Sequence, residues 1–279
     1  MDVLTTPDEM RAWSRERART GRIGFAPTMG ALHAGHLSLV DIAAACCDDV
    51  VVSIFVNPLQ FDRAADFDAY PRPIDDDVAG CAAAGVAAVY APTARAMYPE
   101  GFETHVEPGG LAAVMEGAAR PGHFRGVTTV VTKLFGAVRP DVAVFGEKDF
   151  QQLAIIRRMA RDLDLGVEII GAPIVREPDG LAMSSRNVRL EPAQRAAAVC
   201  VPRALDAAAA AAADGSVAKL VSAASAVVAE EPLARLEYIE VFDPTTLGLL
   251  HDLAATPTPR IAVAVWFGDV RLIDNRAIS

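Results

Sequence analysis

The sequence predicts an α/β fold: a doubly wound parallel sheet with helices on both faces, followed by a smaller C-terminal α+β domain. Up to about residue 170, short β-branched apolar segments recur without strand-like alternation, separated by segments of helical periodicity. Before the first strand, Thr6-Pro7-Asp8-Glu9 has capping-box spacing with proline at the first helical position, which predicts a helix towards Arg17. The strand candidates are 23–26, 50–56, 86–90, 142–145 and 167–170, and the helical segments are 35–47, 74–84, 127–138 and 149–163.

The character of the sequence changes after about Val175. A turn-rich segment, 176–180, leads into two alanine-rich helical stretches. Strands are expected at 236–242 and 261–267, and Gly268-Asp269 between apolar segments suggests a hairpin. We therefore predict two domains: 1–174, which carries the ligand sites, and 175–279, a smaller lid joined to it by a hinge.

Composition narrows the functional classes. The 279 residues carry a formal net charge of −10, which argues against binding to nucleic acid or acidic membranes. Every apolar run is broken well before the ~20 residues of a membrane span, and the N-terminus lacks the pattern of a secretory signal. The four cysteines show no metal-binding spacing. We expect a soluble cytoplasmic protein whose anionic substrates bind in a local positive pocket.

The segment 27–36, PTMGALHAGH, follows a predicted strand and opens a predicted helix. Amide groups at a helix N-terminus lack intrahelical partners and favour an anion. Gly30 and Gly35 would let a phosphate approach the main chain closely. His33 and His36 can donate hydrogen bonds to phosphoryl oxygens as negative charge develops there. The alternative is that both histidines are capping or surface residues.

The segment 55–61, FVNPLQF, lies at the end of the second strand candidate. The amides of Asn57 and Gln60 offer both donors and acceptors, which suit a substrate with hydroxyl and carboxylate groups. The alternative is a simple turn with Pro58 at its second position.

The segment 145–152, FGEKDFQQ, again follows a strand and opens a helix. Gly146 permits a tight turn, and Lys148 places a point charge where a phosphate would lie. Asp149 is either a helix cap or a contact to the phosphate-bearing ligand. Gln152, on the first helical turn, is expected to face the same crevice at the strand ends.

The segment 183–187, MSSRN, lies just past the predicted hinge. Ser184 and Ser185 beside the guanidinium of Arg186 would form a compact clamp for a polyanion. Such a loop is common, and in isolation it carries no functional meaning.

Two further segments are candidates with less specific signals. Asp75-Asp76-Asp77 is either a capped helix start or a set of carboxylates near a magnesium ion that bridges the phosphates of a bound ligand. The segment 120–126, RPGHFRG, precedes a helix and suits a loop that faces an anion.

Together these motifs resemble the pantothenate synthetase (pantoate–β-alanine ligase) family of the HxGH nucleotidyltransferase superfamily. His33-Ala34-Gly35-His36 matches the HxGH signature, and FVNPxQF, RPGHFRGV, GEKDxQQ and MSSRN follow in the family's order. The resemblance implies a Rossmann-like fold, a homodimer, and ATP-dependent condensation of pantoate with β-alanine through a pantoyl-adenylate. Alternatives are an adenylyltransferase that leaves AMP on its product, and a non-catalytic nucleotide-binding module, neither of which needs Gln60 and Gln152.

The resemblance also implies roles for individual residues. His33, His36 and Lys148 would be catalytic. ATP would be bound by Met29, Gly30, Ala31, Leu32, His33, Ala34, Gly35, His36, Gly146, Glu147, Lys148, Asp149, Val175, Met183, Ser184, Ser185 and Arg186. Pantoate and β-alanine would be bound by Gln60, Gln152 and Asn57. For Mg²⁺, Asp76 and Asp77 are the candidate ligands.

Overall fold

A computed structural model describes residues 1–278, apart from the side chains of residues 213 and 214. The chain divides into two compact units. The first comprises Met1–Glu147 and Gln152–Pro173, and the second comprises Lys148–Gln151 and the chain from Ile174 onward. The division at Pro173 lies next to the domain boundary expected at 174. The short segment Lys148–Gln151 differs from that expectation, because it packs with the second unit.

The first unit is built on a parallel sheet of six strands among the described residues. The strands are β1 (Asp2–Leu4), β2 (Ile23–Thr28), β3 (Asp49–Ile54), β4 (Ala88–Tyr90), β5 (Val142–Gly146) and β6 (Glu168–Ala172). Their order across the sheet is β1-β4-β3-β2-β5-β6. From β2, the chain adds β3 and then β4 on one side, and later adds β5 and β6 on the other side.

The helices of the first unit are α1 (Pro7–Arg17), α2 (Ala34–Ala44), α3 (Ala64–Asp68), α4 (Ile74–Ala83), α5 (Ala94–Met97), α6 (Met115–Ala119), α7 (His123–Val138) and most of α8 (Phe150–Asp162). They cover both faces of the sheet. Phe25, on one face of β2, belongs to a core with residues of α1, α7 and α8. Ala26, on the other face, packs with residues of α2 and α4. This alternation identifies a doubly wound sheet.

Among its described residues, the second unit combines three α-helices with an antiparallel sheet. The helices are α9 (Pro192–Ala197), α10 (Cys200–Ala210) and α11 (Val217–Ala229), and the strands are β7 (Ala234–Phe242), β8 (Arg260–Phe267) and β9 (Val270–Ala277). Apolar side chains of α10 and α11 form one core with those of the sheet. The hairpin predicted at Gly268-Asp269 joins β8 to β9, with Gly268 at a φ of +59°.

The predicted fold class is confirmed, and the α1 prediction is confirmed in detail. Thr6 and Glu9 form a reciprocal capping box, and Pro7 opens the helix. β1 was not predicted, because three residues at a sheet edge carry little periodicity. In residues 1–278 no helix has the length and apolar character needed to cross a membrane.

Candidate active site

Three neighbouring strands bring three of the predicted motifs to one edge of the sheet. β3, β2 and β5 lie side by side and parallel, so their carboxyl ends meet at the same edge. The segment with His33 and His36 follows β2, Asn57 and Gln60 follow β3, and Glu147 follows β5. The strands that follow β2 in sequence lie on one side of it, whereas β5 and β6 lie on the other, so the strand order reverses between β2 and β5. In open α/β sheets, ligands bind at such a switch point.

The turn after β2 requires glycine at position 30. Gly30 has a φ of +83°, and an added Cβ would lie 2.8 Å from a carboxylate oxygen of Asp77. The Gly30 amide donates to Thr28 Oγ1 at 3.1 Å, and that hydroxyl donates to the carbonyl of Ser53 at 2.7 Å. Ala31 follows with a φ of +51°, which is unfavourable for a residue with a side chain. The turn is therefore held in a conformation that it would not adopt alone.

Asp77 holds this turn from the first turn of α4. Its Oδ2 accepts the amide of Ala31 at 2.8 Å and its Oδ1 accepts the amide of Leu32 at 2.7 Å. Asp77 is 3% exposed, whereas the neighbouring Asp76 is exposed to solvent. Because each carboxylate oxygen accepts a main-chain amide, Asp77 anchors this turn, and its predicted role in binding magnesium remains a prediction. Residues 1–278 contain no cluster of three or more His, Cys, Asp or Glu side chains suited to a metal ion.

The two histidines lie together at the start of α2. His33 is the N-cap, and its Nδ1 accepts the amide of Gly35 at 3.1 Å. Nδ1 is thus an acceptor, which assigns the proton of the neutral ring to Nε2. The ring of His36 lies beside it, with centroids 4.1 Å apart and a tilt of 32°. The Nε2–H of His33 is therefore a hydrogen-bond donor at the N-terminal end of α2.

The turn after β3 shows how Gln60 is oriented. Asn57 is 1% exposed, and its Oδ1 accepts the amide of Leu59 at 3.3 Å and the hydroxyl of Tyr98 at 2.7 Å. Its Nδ2 donates to the carbonyl of Gly126 at 3.1 Å and to Gln60 Oε1 at 3.0 Å. The main-chain partners fix the orientation of the Asn57 amide, and Asn57 in turn fixes that of Gln60.

Gln60 therefore presents its Nε2 as a donor. One contact of this nitrogen is the sulfur of Met29, 3.1 Å away. A donor at this position suits a carboxylate or hydroxyl oxygen of a substrate. Asn57 is buried and orients Gln60 through its Nδ2, and its predicted contact with the substrate remains a prediction. Burial raises the pKa of the Tyr98 phenol, so this hydroxyl stays protonated and donates to Asn57.

Lys148 is held by residues of the second unit. β5 ends at Gly146, and a single 3₁₀ turn, Glu147–Asp149, precedes α8. The carbonyl of Lys148 accepts a hydrogen bond from Asn275 Nδ2 at 3.0 Å, and Lys148 Nζ lies 3.8 Å from a carboxylate oxygen of Asp149. Arg260 donates to Asn275 Oδ1 at 2.8 Å. These contacts explain why this segment belongs to the second unit.

The segment 183–187 forms a tight turn in the second unit. The Met183 amide donates to the carbonyl of Val175 at 3.0 Å. This hydrogen bond links two residues that the sequence analysis assigned to ATP. The Arg186 amide donates to Ser184 Oγ at 3.2 Å. Asn187, which is buried, donates to the carbonyl of Ala182 at 3.1 Å. The turn thus has a defined shape with two hydroxyls and a guanidinium close in sequence.

The predicted site residues divide between the two units. The first unit holds Met29–His36, Asn57, Gln60, Gly146, Glu147 and Gln152, and the second holds Lys148, Asp149, Val175 and Met183–Arg186. Sequence reasoning missed Tyr98, Arg260 and Asn275. They lie in no motif and reach their partners only through tertiary contacts.

Comparisons with known proteins agree with the motifs. The family model of Pantoate-beta-alanine ligase matches residues 2–277. Pantothenate synthetase from Heliobacterium modesticaldum is 52% identical, with 100% of both chains covered. A crystal structure of pantothenate synthetase from Thermus thermophilus has a TM-score of 0.93 at 46% identity, covering 99% of each chain. The Francisella tularensis pantoate-beta-alanine ligase, complexed with beta-gamma ATP and beta-alanine, has a TM-score of 0.83 at 33% identity, covering 99% of this chain and 97% of its own.

Proposed function

Because the chain belongs to the pantoate-β-alanine ligase family, we propose that it condenses pantoate with β-alanine in an ATP-dependent reaction that forms pantothenate, AMP and pyrophosphate. The observation that carries this proposal is the arrangement at the ends of β2 and β3. Two imidazoles follow β2, and the donor amide of Gln60 follows β3. One edge of the sheet thus offers donors for a phosphate and a donor for a hydroxy acid.

In the first step the pantoate carboxylate attacks the α-phosphorus of ATP. A bond forms between a carboxylate oxygen and the α-phosphorus, and the P–O bond to the leaving pyrophosphate breaks. Negative charge therefore builds on the phosphoryl oxygens. His33, through Nε2–H, and His36 are assigned to those oxygens, together with the ammonium of Lys148. Catalysis here consists of positioning and electrostatic stabilisation. No side chain forms a covalent intermediate, because the adenylate itself is the activated species.

In the second step the neutral amine of β-alanine attacks the acyl carbon of the adenylate. The new C–N bond forms as the C–O bond to AMP breaks, and the proton that the amine loses passes to solvent. No phosphorus bond is made in this step, so the phosphate donors matter less here than in the first. The donor amide of Gln60, with Gln152 on the first turn of α8, is proposed to hold the pantoyl group through both steps.

ATP is proposed to contact Met29–His36 and Gly146–Asp149. Val175 and Met183–Arg186 are proposed to complete its site, with Ser184, Ser185 and Arg186 on the terminal phosphates. Magnesium is proposed to enter as part of the MgATP substrate. The occupied carboxylate of Asp77 gives no reason to assign it a protein ligand in the first unit. A cytoplasmic homodimer belongs to the same proposal and is tested by cell fractionation and light scattering.

Single-turnover kinetics of the two half-reactions test the mechanism. His36→Ala or Lys148→Ala should slow adenylate formation by roughly 10²–10³ each, the scale of one lost transition-state donor. Supplied pantoyl-adenylate should react with β-alanine at a much less affected rate. Lys219→Ala, which alters an exposed lysine on α11, is the control and should leave both rates unchanged. Equal losses in both halves would mean that these residues hold the fold or the adenylate.

Product analysis separates this function from its alternatives. AMP should appear only when pantoate and β-alanine are both present. An adenylyltransferase would retain AMP on its product, and a non-catalytic nucleotide-binding module would release neither AMP nor pyrophosphate. Either result would exclude the proposed ligase.

A further inference from the structure

The segment 120–126 converges on the main chain of Gln60. His123 Nδ1 lies 2.8 Å from the Gln60 carbonyl oxygen, and Arg120 Nη2 donates to the same oxygen at 3.1 Å. A carbonyl only accepts, so Nδ1 carries the imidazole proton and Nε2 is the acceptor. Arg120 Nη1 lies 3.4 Å from that Nε2, and Arg120 Nε donates to Asp62 at 2.9 Å. Arg120, His123 and the Gln60 carbonyl are therefore each in contact with the other two, and Asp62 holds Arg120 from outside this set.

The first turn of α7 also packs directly against the turn that carries Gln60. A Cβ added to Gly126 would lie 2.2 Å from the carbonyl oxygen of Leu59 and 2.7 Å from the amide of Gln60. The Gly126 carbonyl accepts from Asn57 Nδ2, which also orients the Gln60 amide. Arg120 and His123 therefore hold the main chain of Gln60, and Gly126 holds its side chain through Asn57.

These contacts differ from the expectation that the segment faces an anion. The guanidinium of Arg120 is shared among Asp62, His123 and Gln60, and the imidazole of His123 is buried. We propose that Arg120 and His123 are positioning residues for pantoate, which act by fixing the location of Gln60. The inference rests on the proposed function, in which Gln60 binds pantoate. Since a displacement of about 1 Å in a positioning group can cost about a hundredfold, a small shift of this turn is sufficient.

Two substitutions of His123 distinguish positioning from mere packing. In His123→Asn the amide nitrogen falls near the position of Nδ1 and can still donate to Gln60. In His123→Gln the amide lies near the position of Nε2 and leaves the carbonyl without that donor. We expect His123→Gln to raise the KM for pantoate roughly tenfold, the scale of one lost hydrogen bond. The KM for ATP and the kcat at saturating pantoate should stay within about threefold. His123→Asn should restore the pantoate KM.

Arg125→Ala is the matched control in the same segment, because Arg125 is exposed and pairs with Glu107 at 3.3 Å. It should leave all three parameters unchanged. If His123→Gln does not fold, Arg120→Lys carries the same test, since lysine retains the charge beside Asp62 but cannot reach the three partners together. A change in thermal stability without a change in the pantoate KM would overturn the inference. So would equal losses for pantoate and ATP.

Gln60→Ala separates failure of this inference from failure of the proposed function. If Gln60→Ala leaves the pantoate KM unchanged, the assignment of Gln60 is wrong and the inference falls with it. If Gln60→Ala raises that KM but His123→Gln does not, the proposed function stands and the positioning role is refuted. A double variant no worse than Gln60→Ala alone supports the inference, because the two residues then act through one contact.

Discussion

Asp77→Asn should release the turn that carries the histidine motif. The substitution keeps the size of the side chain, but the amide retains one acceptor oxygen for the two amides of Ala31 and Leu32. Losing one hydrogen bond to a charged group costs about 1.5–3 kcal/mol. The left-handed conformation of Ala31 costs ~1–2 kcal/mol in both proteins, and in the wild type the two hydrogen bonds to Asp77 offset this cost. The preference for the observed turn should therefore fall by about ten- to a hundredfold.

The loss should appear in ATP use. We expect kcat/KM for ATP to fall by up to this factor, which is reached where the observed turn is no longer the major conformation, because only the competent fraction of the turn binds productively. Rapid-quench measurement of adenylate formation, with MgATP varied at saturating pantoate, reports this value directly. Asp76→Asn is the control, since Asp76 is the exposed neighbour on the same helical turn. Circular dichroism checks that both variants fold.

Two results would refute this reasoning. A kcat/KM for ATP within about twofold of wild type in Asp77→Asn would show that the turn holds itself. A shift in the magnesium requirement at constant affinity for ATP would instead make Asp77 a metal ligand, as the sequence analysis expected.

Three other substitutions probe separate features. Gly126→Ala should lower the melting temperature by several degrees and raise the pantoate KM, because its Cβ collides with the Leu59 carbonyl; an unchanged melting curve would contradict the geometry. Asn275→Ala frees the Lys148 carbonyl and should slow adenylate formation about tenfold while sparing the second half-reaction in single-turnover assays; a wild-type first step would count against it. Burial raises the pKa of Glu240, so its ionised form disfavours folding; Glu240→Gln should raise the melting temperature at pH 8 but not at pH 4, and equal melting at pH 8 would exclude this effect.

Local patterns in the sequence were sufficient to predict most of the fold. The strand ends at β2 and β5 fall within a few residues of their predicted positions, because buried apolar segments followed by glycine-containing turns mark them. The capping box of α1 lies within four residues of sequence and needs no tertiary context. Short helices such as α3, α5 and α6 complete too few turns to show a periodicity.

The sequence predicted which residues belong to the site, but only the structure shows which partner each side chain faces. The amide of Asn57 suits a ligand as well as a protein partner, and only the fold shows that it faces inward. Asp77 meets the amide of Ala31 across 46 positions of sequence, and Asn275 meets Lys148 across 127. Such pairings depend on how elements pack, which periodicity and motif spacing do not report.

β2 acquires its second neighbour late in synthesis. Its first neighbour, β3, follows within the next thirty residues, but the amide of Ile23 finds Asp141 only 118 residues further along. A nascent chain that ends before β5 therefore exposes the free edge of its central strand, with unpaired amides and carbonyls open to other chains. Pairing over such a distance is slow. The strand pair that flanks the histidine segment is thus complete only after β5 has been made, and until then the edge of β2 is a place where the unfinished chain can pair with other chains.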